Sequence, residues 1–200
     1  AAPPTALAED KPLWELGGGV GGLALPHYRG SAHTQQWLLP VPYYVYRGRI
    51  FKADRDGARA LLFDTARVDL DLSLAASAPA DSEGDPAREG MPNLAGTLEL
   101  GPRLNVHLAD GRDWKLDLRL PLRAALTLQS RPRDIGWTFT PVLNLDWRLP
   151  VFDLGLQAGP IWSDRRQNAY FYGVAPQYAT ATRPAYEARG GYGGWQGTLA

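Results

Sequence analysis

The chain has 200 residues, with 21 Lys and Arg balanced against 21 Asp and Glu, so it carries no electrostatic footprint for nucleic acid. It contains no cysteine, which excludes a disulfide framework, a thiolate metal site and a cysteine nucleophile. Apolar residues make up 44%, yet their uninterrupted runs are only a few residues long, which excludes a transmembrane helix of about 20 apolar residues.

The 22 Gly and 17 Pro residues point to an all-β chain. It opens on Ala1-Ala2-Pro3-Pro4-Thr5, which reads as a processed, exported N-terminus. Residues 1–12 form an irregular lead-in, and 13–200 form the folded unit. Trp14 to Leu23 reads as a glycine-rich strand, followed by a loop through Pro26 and Ser31. Trp37 to Tyr46 is the next strand, and its two prolines remove ladder donors and impose local irregularity. Arg47-Gly48-Arg49 is a tight turn. Ile50 to Phe63, broken at Asp54-Arg55-Asp56-Gly57, reads as a short hairpin.

Arg67 to Leu74 alternates cleanly, with Val68, Leu70, Leu72 and Leu74 on one face and Arg67, Asp69, Asp71 and Ser73 on the other. A polar loop covers 76–93. Leu98 to Leu108 alternates again, with Glu99, Arg103, Asn105 and His107 opposite the apolar set. A turn at Asp110-Gly111 leads into the longest alternation, Trp114 to Leu128, in which every even position is apolar. Strands of soluble domains usually run about 5–6 residues; a membrane-crossing strand needs about 9–11. An odd-numbered loop, Asp110-Gly111-Arg112, keeps the leucines of the two strands on one face. It sets Glu99 across from Arg123 and Asn105 across from Asp117.

Trp137 to Trp147 and Phe152 to Trp162 are the following strands, each with aromatics ten residues apart on one face. Ten residues at about 3.3 Å, tilted near 40°, span roughly 25 Å, the height of a barrel's apolar band. Aromatics at both ends of that band match interfacial girdles. Short connections at 47–48, 110–111 and 149–150 alternate with longer ones at 25–35, 76–93 and 129–135, as in outer-membrane barrels. The fold expected is an all-β, antiparallel transmembrane β-barrel. A soluble sandwich whose core is capped by aromatics is the alternative.

Several segments together resemble the MipA/OmpV family of outer-membrane proteins. They are Pro26-His27-Tyr28-Arg29-Gly30-Ser31, Leu39-Pro40-Val41-Pro42-Tyr43 with the Tyr46-Arg47-Gly48 turn, and Arg88-Glu89-Gly90-Met91-Pro92-Asn93-Leu94 ahead of Glu99-Leu100-Gly101-Pro102. Gly159-Pro160-Ile161-Trp162, Tyr170-Phe171-Tyr172-Gly173-Val174 and Arg183-Pro184-Ala185-Tyr186 with Gly190-Gly191-Tyr192 complete the set, in the family's order. The resemblance implies a barrel of about 12 strands in the outer membrane of a Gram-negative cell. About 9–10 of these strands are expected here, with the C-terminal ones missing, so that the chain reads as a fragment ending at Thr198-Leu199-Ala200. It also implies a non-enzymatic scaffold that links a lytic transglycosylase to a penicillin-binding murein synthase, with adhesion, antibiotic response or osmotic response as roles of related members.

Two other functions stay open. Mixed charges on the inner face, from Arg67 to Arg148, suit a filled lumen or a small-solute channel, although selective pores favour rings of one sign. A lipid-modifying barrel enzyme would use Ser31 with His27 or His33, but the sequence puts no orienting acid beside them. His107 is expected to face the lumen, with Asn105 and Lys115 as its partners. No catalytic residue, metal site or cofactor is expected. Partners are outer-membrane lipid, a lytic transglycosylase and a penicillin-binding protein, with no nucleic acid. The expected partner-contact surface is the set of basic short turns carrying Arg47, Arg49, Arg112 and Arg148.

Overall fold

The computed structural model describes residues 14–47, 51–54, 57–65 and 67–200. The lead-in expected over 1–12 lies outside the described residues, as do Gly48, Arg49, Arg55 and Asp56. The fold is mostly antiparallel β-sheet with one short helix. Its strands are β1 (Trp14–Pro26), β2 (Thr34–Arg47), β3 (Phe51–Asp54), β4 (Gly57–Asp64), β5 (Val68–Ser77) and β6 (Thr97–Asp110). They continue with β7 (Trp114–Thr127), β8 (Asp134–Phe139), β9 (Val142–Arg148), β10 (Asp153–Ser163) and β11 (Gly191–Leu199). Helix α1 (Arg165–Tyr172) precedes β11. No described helix is long and apolar enough to cross a membrane.

Each strand pairs with its chain neighbour, and β8 and β9 together fill the place between β7 and β10. The ladder runs from β1 to β11, and among the described residues these two ends do not pair with each other. Residues from the β4–β5 turn round to β11 nonetheless line one cavity, so the sheet curls with its polar face inward.

Burial along the strands is inverted relative to a water-soluble protein. Among the described residues, 15 buried side chains are polar, against seven aliphatic ones and Pro121. Asp71, Ser73, Glu99, Arg103, Asp117, Thr138 and Asn144 are buried, while Leu74, Leu100, Leu122, Leu126, Leu143 and Leu156 are exposed. The alternation read from sequence is therefore present, with the oily face outward.

Three expectations need correction. The register of β6 against β7 differs by two residues: Glu99 faces Ala125, Asn105 faces Arg119, and Asp117 faces His107. The closing pair Asp110–Lys115 encloses four residues, and Leu108 is left over as a bulge between His107 and Ala109. Four loop residues plus one bulged residue give the odd offset that parity demands. Trp137 to Trp147 is not one strand, because Thr140 and Pro141 interrupt it. Pro141 has no N–H to donate, yet the phase survives, with Thr138, Thr140, Val142 and Asn144 all buried. That split raises the described strand number to eleven from the expected 9–10.

The inner face is held by paired charges. Arg103 donates from Nε to Asp71 Oδ1 at 3.0 Å and from Nη2 to Oδ2 at 2.7 Å. Asn105 bridges Asp69 and Asp71 at 2.7 and 3.2 Å, and Arg123 Nε donates to the Ser73 hydroxyl at 2.9 Å. Removing one partner of a buried pair leaves the other charge uncompensated, at a cost of about 3–5 kcal/mol. Arg103→Met is expected to lower unfolding stability by about that amount in urea titrations of refolded protein. Pairing it with Asp71→Leu should restore most of the loss.

Candidate functional site

The two ends of the sheet differ. At one end lie the short turns: residue 65 onward between β4 and β5, the β6–β7 turn, and the β9–β10 turn. The Gly111 N–H closes on the Trp114 carbonyl at 2.9 Å, and the Leu149 N–H on that of Phe152 at 2.9 Å. The Arg148 N–H donates to the Asp113 carbonyl at 2.7 Å, which ties the second and third of these turns together. Arg112 and Arg148 are thereby brought to one rim, both exposed. Arg47 ends β2 at this same end, whereas Arg49 is not described.

The rim is mixed in sign. Arg148 Nε stands 3.9 Å from Asp153 Oδ1, with both side chains well exposed. Behind the rim opens a cavity of about 970 Å³, lined by Arg112, Asp113, Lys115, Asp146 and Arg148 among others. His107 points into it, but not toward the partners expected. Its Nδ1 meets Asp117 Oδ1 at 3.0 Å and its Nε2 meets Asp110 Oδ1 at 2.7 Å. The two-residue register difference puts Asp117 opposite His107. Lys115 also goes to Asp117, at 2.9 Å, and Asn105 goes to the Asp69–Asp71 pair.

The other end is covered. Loop 78–96, loop 27–33 and α1 fold over the mouth and interlock through Arg88. That side chain is buried and donates to Ser82 Oγ at 3.2 Å, to the Phe171 carbonyl at 2.9 Å and to the Pro92 carbonyl at 3.1 Å. Its guanidinium also lies 5.8 Å from the centre of the Tyr28 ring. Burial pushes the Arg88 guanidinium below its ordinary pKa and the Tyr172 phenol above its own. Tyr172 donates to the Arg29 carbonyl at 3.0 Å, and Tyr170 to that of Ala95 at 3.1 Å. Helix α1 begins where the Asp164 carboxylate accepts the Gln167 N–H at 2.9 Å, a side-chain N-cap.

Within this cap the structure supplies an acid that sequence proximity did not reveal. Asp85, with no exposed surface, lies between two imidazoles: Oδ2 is 3.4 Å from His27 Nδ1 and Oδ1 is 3.5 Å from His33 Nδ1. It comes from a loop more than fifty positions away, and only the interlocked loops bring it there. Ser31 is not a nucleophile aimed at either ring. Its hydroxyl accepts the His33 N–H at 3.1 Å and donates to the His33 carbonyl at 3.3 Å, so it closes a local turn. Among the described residues, no group of three or more His, Cys, Asp or Glu side chains is arranged to hold a metal ion.

The family model described as "MltA-interacting protein MipA" matches residues 18–200. The chain belongs to that family. No curated protein and no solved structure matches it.

Arg88 joins all three parts of the cap. Arg88→Ala is expected to speed protease cleavage within 78–96 by about tenfold in otherwise folded protein, since local opening sets that rate. Arg88→Lys should rescue little, because a point charge cannot reach three diverging acceptors. Limited proteolysis with mass mapping checks both; equal cleavage of all three proteins would remove Arg88 from this role.

Proposed function

We propose that this member of the MipA family forms a β-barrel of the Gram-negative outer membrane. There it acts as a non-enzymatic scaffold for a lytic transglycosylase of the MltA type and a penicillin-binding murein synthase. The observation that carries the reading is the inverted sheet. A face of exposed leucines costs about 25 cal/mol per Å² in water, but in hydrocarbon it lies in its own solvent. The buried polar face suits a barrel interior, which is polar in outer-membrane proteins.

Aromatic placement supports the same setting. Trp114 pairs with Trp147 at the short-turn end, and both are exposed with Phe152 beside that turn. Trp137 and Tyr192 are exposed toward the capped end. Two such levels fit the girdles that mark membrane interfaces. Long loops outside and short turns in the periplasm are the usual polarity. It would direct Arg112 and Arg148, with Arg47 and Arg49, toward murein enzymes. The partner would meet Arg112 and Arg148 beside Asp113 and Asp153, so contact is by charge pairing, with no chemistry performed by the barrel.

A channel is the second reading, favoured by the 970 Å³ cavity. Against it stand the cap over the far mouth and the paired Asp71–Arg103 cluster on the inner face.

Two measurements test the proposal. Leu122→Arg places a charge on the outward face. In a bilayer it is expected to cost about 2–4 kcal/mol, whereas an exposed surface change in water stays within about 0.5 kcal/mol. Unfolding from lipid vesicles reads the difference, and the smaller value would sink the membrane assignment. For the scaffold, capture of a purified MltA-type transglycosylase by full-length protein should fall about fivefold in Arg112→Gln/Arg148→Gln at low salt. Undiminished capture would put the contact elsewhere.

A further inference from the structure

The inner face changes character along its length. At the short-turn mouth, four cationic side chains stand beside six aspartates. Deeper in, a second cavity of about 180 Å³ adjoins the first, sharing Gln157 and Thr198 with it. Arg29, Arg103, Arg119 and Arg123 wall this inner cavity, and among the described residues no carboxylate lines it. Interleaved signs fill space; a single sign in a confined space recruits the opposite charge.

Among the described residues, Arg29 and Arg123 have to share one counter-charge. Asp71 is committed to Arg103 by two hydrogen bonds. Glu99 is 4.0 Å from Arg29 Nη2 and 4.0 Å from Arg123 Nη1, beyond hydrogen-bond reach of either. It instead accepts the Thr138 hydroxyl at 3.2 Å, and Arg123 Nε turns away to Ser73. One carboxylate at arm's length thus serves two guanidiniums on the cavity wall. Neutral groups in the lining, Gln157, Gln196, Thr140 and Thr198, can add amide and hydroxyl donors.

We propose that this arginine-walled cavity binds a small oxyanion, the phosphate or carboxylate group of a soluble solute entering from the short-turn mouth. Planar guanidinium forks match oxyanions in pairs of parallel hydrogen bonds. A lipid headgroup is the other source of such a group. The cavity opens on the polar inner face, away from the exposed leucines, which favours a free solute. The proposal needs only the curled polar face, and stands independently of the murein partners.

Inorganic phosphate is the probe, titrated by calorimetry into refolded full-length protein in uncharged detergent micelles. One saturable site is expected, weakened by added chloride. Arg29→Gln, in a surface loop where folding is least at risk, should reduce affinity about tenfold, and Arg123→Gln by at least as much. Arg131→Gln, in the exposed loop between β7 and β8, should leave binding unchanged. A second arm dopes the micelles with phosphatidylglycerol: unaltered phosphate affinity supports a soluble ligand, and competitive loss overturns that assignment in favour of a headgroup. Absence of saturable binding, or binding indifferent to both arginine substitutions, overturns the site itself.

Discussion

The interior of this sheet is polar, and its side-chain arrangement answers mainly to the need to pair what is buried there. Asp71 has no exposed surface, and one guanidinium meets both of its carboxylate oxygens. Its neighbours repeat the logic: Asn105 spans Asp69 and Asp71, the Ser77 and Thr97 hydroxyls share a hydrogen bond at 2.8 Å, and Asn144 donates to Asp146 at 2.8 Å. Buried polar groups left unpaired would each cost about 1–3 kcal/mol. A one-residue slip of any strand would turn this face outward. A two-residue slip would keep the face but separate the partners, so it is the side-chain pairs that select among registers of equal parity.

The same constraint explains why the two ends are unlike. Short turns close with few backbone hydrogen bonds and leave most of their charged side chains in water, so the mouth between them stays open. The long loops carry backbone that must be satisfied internally once it folds over the other mouth. Arg88 provides three donors at the point where loop 78–96, α1 and the Tyr28 loop converge. Arg183 adds two more, to the Glu89 carbonyl at 2.9 Å and that of Tyr178 at 2.7 Å. One end is therefore a built lid, and the other a vestibule leading to the arginines.

Much of this was legible in the residues, and the limits are instructive. Alternation from Val68 to Leu128 fixed the strands and their two faces, because the period of two is a local property. The β6–β7 register was not legible, because loop parity admits several solutions and the Leu108 bulge leaves no sequence mark. Helix α1 was missed, since eight residues beginning Arg165-Arg166 present no apolar stripe; its one signal is Asp164 three positions before Gln167. Asp85 between His27 and His33 was beyond reach for a different reason, being a contact between separate loops that no spacing encodes. The ordered set of short motifs did identify the family, since each marks a turn, cap or break whose position depends on the whole fold.

Those breaks converge on one level of the sheet. Between β6 and β7 the ladder skips Gly101 and Pro102, and between β8 and β9 it skips Thr140 and Pro141. Proline removes a donor at each place, and the strands answer by approaching more closely than side chains allow. A Cβ on Gly101 would collide with the Leu122 carbonyl oxygen, and one on Gly159 with that of Pro141. The Thr140 N–H then reaches the Pro121 carbonyl at 3.3 Å, which satisfies a group the regular ladder would have used. Pro121, Thr140 and Val142 are also part of the wall of the inner cavity. The glycine–proline positions thus do more than tolerate irregularity: they set the local width of the sheet where the arginines gather. A larger residue at Gly101 would force apart the strands that carry Arg103 and Arg123, and one at Gly159 would part β10 from the break between β8 and β9; either would loosen that wall without touching a charge.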